Sequence, residues 1–179
     1  MSPRFIFLDL ETTGLDADLD QITEAAWIRD DGVVRQYLVE HTRLPNAWVL
    51  QNTDYLTRIA LAEKHPIADV LHSLQLDCDE MRRLYAAPEI HLVGACPAFD
   101  DRFLRNAYGS GGVPYHYHVI DVEAMAFGAL GLPTIPPLKE LRTALGIEGE
   151  NEAAHTALAD AREVKLIFDA LRARSVVPL

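Results

Sequence analysis

The stretch FIFLDLETTGLD, from Phe5 to Asp16, constrains the fold more than any other part of the chain. Phe5, Ile6, Phe7 and Leu8 make both faces of an alternating strand apolar, the pattern of a central strand buried on both sides. Asp9 and Glu11 then leave one face together, about 7 Å apart at Cα for a rise of about 3.3 Å per residue. Two carboxylates at the rim of a core repel each other and lose hydration, so they call for a cation or a proton. A bland alternative has Asp9 capping a turn and Glu11 solvated, and the rest of the chain decides between the two.

The 179 residues suit one domain, taken as 1–179, with a sizeable core. No apolar run reaches membrane-spanning length and no basic-then-apolar leader opens the chain, so a cytoplasmic protein without a membrane partner is expected. Cys78 and Cys96 form no CxxC pair, which argues against a disulfide scaffold or a cysteine-rich zinc site. Sixteen Lys plus Arg against 27 Asp plus Glu give a net charge of −11. That is the wrong sign for gripping long nucleic acid by counterion release. It is compatible with an enzyme that holds a few nucleotides at a strand end while metal ions neutralise its carboxylates.

Residues 21–30 and 33–41 read as two strands joined by the Asp-Gly hairpin signal RDDGVV. Residues 42–64 read as irregular, or as a short helix or two. Helical spacing marks 66–85, 98–108 (stopped by GSGG), a segment near 122–130, 137–145 ending at Gly146, and about 156–174. IHLVGA and HYHVI read as further short strands. Strands first, then strands alternating with helices, predict an α/β layered domain with a mixed sheet.

Helical phase sorts the remaining acids. Asp100 shares a face with Phe103, Leu104 and Ala107, whereas Asp101 faces Arg105 at i+4 as an ordinary ion pair. Asp160 lies on the line of Val164, Ile167 and Leu171 and is aimed into the core, where an unpaired carboxylate is costly. His155, five positions earlier, serves the same site only if it stands at or before the helix start, in the loop GENEAAH. Hard oxygen ligands without cysteine point to Mg²⁺ or Mn²⁺. Two such ions stabilise the attacking and leaving oxygens of a phosphodiester displacement, and a histidine near neutrality accepts the proton of the attacking water.

FLDLETTGLD, PAFDDRFL and HTALADARE resemble, in order and spacing, the three motifs of the DEDDh (DnaQ-like) 3′→5′ exonucleases, and DVEAMAFGAL and LKELRTALGI resemble the segment between the second and third. The resemblance implies a ribonuclease-H-like mixed β-sheet flanked by α-helices. It implies Asp9, Glu11, Asp100 and Asp160 as ligands of two divalent ions, Mg²⁺ or Mn²⁺, and His155 as general base. The backbone around Thr12 and Thr13 would hold the terminal nucleotide, and Leu15 would pack against its base. The implied partner is the single-stranded 3′ end of DNA or RNA, cut to nucleoside 5′-monophosphates. Ala95-Cys96 departs from the family's frequent His-Asn, which bears on substrate grip more than on catalysis. The chain ends soon after its last helix, so no polymerase-binding tail is evident and a free-standing or differently tethered nuclease is expected.

Two other readings compete. DLETT mimics the strand end of haloacid-dehalogenase phosphatases with Asp9 as nucleophile, but Glu11 replaces their second aspartate and lysines are few. A non-catalytic nucleic-acid-binding module on the same fold is the other, and the retention of all four carboxylates counts against it. His116 and His118 lack an evident third zinc ligand and read as an exposed strand face. Trp27, Trp48 and Tyr55 read as packing residues rather than base-stacking platforms.

Overall fold

The computed structural model describes residues 2–53, 55–147 and 156–175. Five strands form one sheet: β1 (Arg4–Thr12), β2 (Ile22–Arg29), β3 (Val34–Leu38), β4 (Ile90–Gly94) and β5 (Ile120–Asp121), in the order β3-β2-β1-β4-β5. β1 pairs antiparallel with β2 and parallel with β4, so the sheet is mixed, as expected. The two-sided apolar pattern of β1 explains its central place. Ile6, Leu8 and Leu10 enter one core with Trp27, Leu74, Met81, Leu92 and Phe103. Phe7 enters a second core with Ile28, Val93, Val164, Ile167 and Leu171.

Helices α2 (Ile67–Tyr85) and α3 (Ala98–Tyr108) supply the first core, and α4 (Val122–Leu130), α5 (Leu138–Leu145) and α6 (Ala157–Ser175) the second. α2 is tied to the sheet by a polar network as well as by apolar packing. Buried Asp77 accepts from the Trp27 indole at 2.8 Å, from Arg29 at 3.2 Å and from Arg35 at 3.2 Å. Arg29, itself buried, also reaches Glu80 at 2.6 Å. No described helix is long and apolar enough to cross a membrane.

Where the structure departs from the sequence reading, local hydrogen bonding is the reason. β3 stops at Leu38: the Val39 amide still donates to the Thr23 carbonyl of β2 at 2.9 Å, but Val39 turns to a lone parallel bridge with His65. The 42–64 segment agrees with its reading as a short helix or two: it holds α1 (Ala47–Asn52) and a single π-helical turn at Tyr55–Ile59. α1 starts where the Asn46 side chain accepts from the Val49 amide at 2.9 Å. Of HYHVI, only Ile120 is strand. The His116 ring takes up the His118 amide at 3.1 Å, a donor that a continuous ladder would use.

Candidate active site

The chain ends β1 with its acids on the face that α6 covers. Asp9 and Glu11 follow Phe7 along that face, and α6 brings Asp160 to them. One ligand oxygen from each of Asp9, Glu11 and Asp160 lies within 4.8 Å of the others. The start of α6 is fixed by Thr156, whose hydroxyl accepts from the Ala159 amide at 3.2 Å. Its core line is as the phase predicts, since Val164, Ile167 and Leu171 are buried. Asp100, in the first turn of α3, is buried and accepts from the Leu10 amide at 3.1 Å, which places its carboxylate against the strand between Asp9 and Glu11. Asp101 turns the other way, bonded by Arg105 at 2.7 Å and by the Tyr115 hydroxyl at 3.0 Å. His155 lies outside the described residues.

The electrostatics of this cluster are those of an acidic site that wants a cation. Burial, and then the Asp160 and Glu24 carboxylates, push Glu11 up to about 8, with Arg58 pulling the other way. Asp9 is raised well above the carboxylate range by burial, then by Asp100, Asp160, Glu11 and Glu24. Asp100 is raised too, mainly by burial, despite the Leu10 amide. Carboxylates crowded this closely ionise together only when positive charge is brought among them. An oxygen-only donor set of this size fits hard divalent ions.

Sequence reading missed the residue behind the cluster. Glu24 stands opposite Glu11 in the β1–β2 register and is fully buried. It accepts from Gln36 at 2.8 Å and pairs with Arg58 of the π-helical turn at 2.7 Å. The available signal was a lone acid within the otherwise buried strand ITEAAWIR.

A cavity of about 160 Å³ opens beside Glu11 and is lined by Thr12, Gly14, Leu15, Trp48 and Phe99, among others. Thr12 faces it, and Leu15 at 72% exposure projects at its mouth. Thr13 is placed differently: it is fully buried, its amide donates to the Gln21 carbonyl at 2.8 Å, its carbonyl accepts from Asn46 at 2.8 Å, and its hydroxyl bonds Asp20 at 3.0 Å. Thr13 thus builds the loop and fastens α1 to it. A Cβ at Gly14 would stand 2.4 Å from Asp20 Oδ2, so a larger residue would have to displace the carboxylate that accepts from the Thr13 hydroxyl and the Asp16 amide. Of the aromatic residues, Trp27 and Tyr55 are buried as expected, but Trp48 is 60% exposed at the cavity and is free to stack. Ala95-Cys96 lies just before α3, and Cys96 takes a left-handed φ of 48°, a conformation that asparagine accepts more readily than cysteine.

Residues 6–168 match the exonuclease family RNase_T. Among solved structures, the chain is similar to E. coli exonuclease I in complex with a dA16 oligonucleotide, at 24% identity and a TM-score of 0.69, covering 97% of this chain and 41% of that one. It is also similar to a moderately thermophilic exonuclease I from Methylocaldum szegediense, at 21% identity and a TM-score of 0.72, covering 96% of this chain and 40% of that one. The chain therefore spans about two fifths of the length of these structures, and the likeness is one of fold. No curated protein matches the sequence.

Proposed function

Because the chain belongs to the RNase_T exonuclease family, we propose that it is a divalent-metal-dependent 3′→5′ exonuclease that shortens single-stranded nucleic acid and releases nucleoside 5′-monophosphates. The observation that carries this reading is the meeting of the Asp9, Glu11 and Asp160 oxygens within 4.8 Å, with Asp100 buried behind them. Asp9, Glu11, Asp100 and Asp160 would hold two ions, Mg²⁺ or Mn²⁺, which when bound neutralise the charge that develops on the phosphate and on the departing 3′-oxygen. The terminal nucleotide enters beside Glu11. Its base lies in the cavity against Leu15, Phe99 and Trp48, and its sugar faces Thr12 and the turn held by Thr13. Excluding water from the base face positions the last phosphodiester over the carboxylates. His155, placed by sequence just before the Thr156 cap of α6, takes the proton of the attacking water at an imidazole nitrogen. A single-stranded DNA substrate is favoured by the similarity to exonuclease I in complex with dA16. We also take residues 1–179 as one catalytic domain.

The test uses matched 5′-labelled DNA and RNA oligonucleotides with Mg²⁺ or Mn²⁺. The expected result is a ladder of fragments shortened from the 3′ end, abolished by chelation and blocked by a 3′-terminal modification. His155→Ala lowers turnover by about 10²- to 10⁴-fold while the protein still takes up metal. Early release of the labelled 5′ nucleotide, or of inorganic phosphate alone, would refute the proposal.

A further inference from the structure

At the far end of β4 from the carboxylates stands a second convergence of metal-ligating atoms. His91 Nε2 lies 3.1 Å from Glu89 Oε2, and His116 Nε2 lies 3.7 Å from Glu89 Oε1. One ligand atom from each of Glu89, His91 and His116 lies within 4.8 Å of the other two. We propose that Glu89, His91 and His116 form a zinc-class site that clamps the start of β4 to the loop leading into β5. Sequence spacing paired His116 with His118 and found no third ligand. The fold instead sets His116 against Glu89, just before β4, and His91 within it, through a backbone bond in which the His116 amide donates to the Ile90 carbonyl at 2.7 Å.

The donor set is that of a borderline metal, two imidazole nitrogens and one carboxylate, in contrast to the oxygen-only set of the catalytic cluster. Zinc at about 2.0–2.1 Å from each ligand sets tetrahedral neighbours about 3.3 Å apart, so the 3.1 and 3.7 Å separations close on an ion with small side-chain movement. Second partners orient the rings. His91 Nδ1 lies 2.9 Å from the His118 carbonyl, an acceptor, so its proton belongs on Nδ1 and its Nε2 lone pair faces Glu89. A lone pair facing a carboxylate at 3.1 Å needs a proton or a metal ion between them. His116 must change: its Nδ1 accepts the His118 amide at 3.1 Å, so the neutral ring carries its proton on Nε2. On metal entry that proton moves to Nδ1 and the amide bond is given up, leaving Nε2 to bind. The two rings are already adjacent, with centroids 4.8 Å apart. Water completes the fourth position, because the Glu89 side chain is half exposed, at 48%.

β1 and β4 run parallel, and Asp9 and Glu11 stand in the C-terminal half of β1, beyond its pairing with β4 and away from the start of β4, so this ion serves stability rather than hydrolysis. The test is zinc titration of chelator-treated full-length protein against a chromophoric competitor, in excess Mg²⁺ to occupy the oxygen-only cluster. We expect one zinc per chain, visible Co²⁺ bands of a four-coordinate nitrogen–oxygen site, and a thermal midpoint raised by zinc with turnover unchanged. His91→Ala, His116→Ala and the isosteric Glu89→Gln should each weaken zinc binding by about tenfold or more. Glu89→Gln is at an exposed side chain and keeps the fold testable if a histidine variant does not fold. Equal zinc affinity in wild type and Glu89→Gln, or no zinc uptake in Mg²⁺, would overturn the proposal whatever the outcome for nuclease activity.

Discussion

Removing divalent ions turns the acidic cluster into a liability whose size depends on pH. Glu11 moves from 4.5 in a free chain to about 8 in the fold, chiefly through burial. Between those values the folded chain keeps a proton on Glu11 that the unfolded chain has released. This contribution is fully present below about 4.5 and is lost as pH rises to about 8. At about 1.4 kcal/mol per pKa unit the ceiling is about 5 kcal/mol, and the partial exposure of Glu11 trims it. For a chain of this size that ceiling is a fall of roughly 10–20 °C in midpoint. The assay is circular dichroism melting in chelator, from about pH 5 to about pH 9, for wild type and Glu11→Gln. The wild-type midpoint should fall relative to the variant across the window, because glutamine has nothing to ionise. Saturating Mg²⁺ should widen its gain over chelator as pH rises, since Glu11 is then ionised throughout. A wild-type midpoint that stayed level with, or rose against, Glu11→Gln between about pH 5 and 8 would refute the charge-crowding argument.

Other outcomes follow from single contacts. Asp100→Ala should abolish hydrolysis, whereas Asp101→Ala should keep nearly all of it and cost about 1 kcal/mol of stability through Arg105 and Tyr115; equal activity losses would defeat the helical-phase reading. Trp48→Ala should raise KM for single-stranded DNA by roughly 5- to 150-fold with little change in kcat, the worth of about 1–3 kcal/mol for one stacked base. Steady-state kinetics on short oligonucleotides read this, and an unchanged KM would leave Trp48 outside the substrate path. Asp77→Ala should destabilise by about 3–5 kcal/mol in urea melts, because Arg29 is left buried with less of its counter-charge.

Much of the fold was legible because β1 states its own environment. Apolar residues on both faces can only be a central strand, and the phase of α3 and α6 separates Asp100 from Asp101 and aims Asp160 inward. What the sequence hid was set by contacts between distant segments. Glu24 reads as an ordinary strand acid until Arg58 and Gln36 close on it. Trp48 resembles a core residue until α1, pinned to Thr13 through Asn46, carries it to the cavity edge. His116 acquires partners only because its amide reaches across to Ile90. Periodicity reports which side of an element is buried, and it carries no information about which remote element does the burying.

Asp9 and Asp160 meet only across β1 and α6, the first and last of the described elements. On the ribosome the β1–β2–β3 meander is available early, but β1 must wait for its parallel neighbour β4, and longest of all for α6. Until α6 docks, Phe7, Ile28 and Val93 lack their cover and the carboxylates lack one of their number. The acidic cluster is thus a product of tertiary closure, and no stretch of chain short of α6 carries it complete. The three oxygens of Asp9, Glu11 and Asp160 converge only once α6 is seated on the sheet.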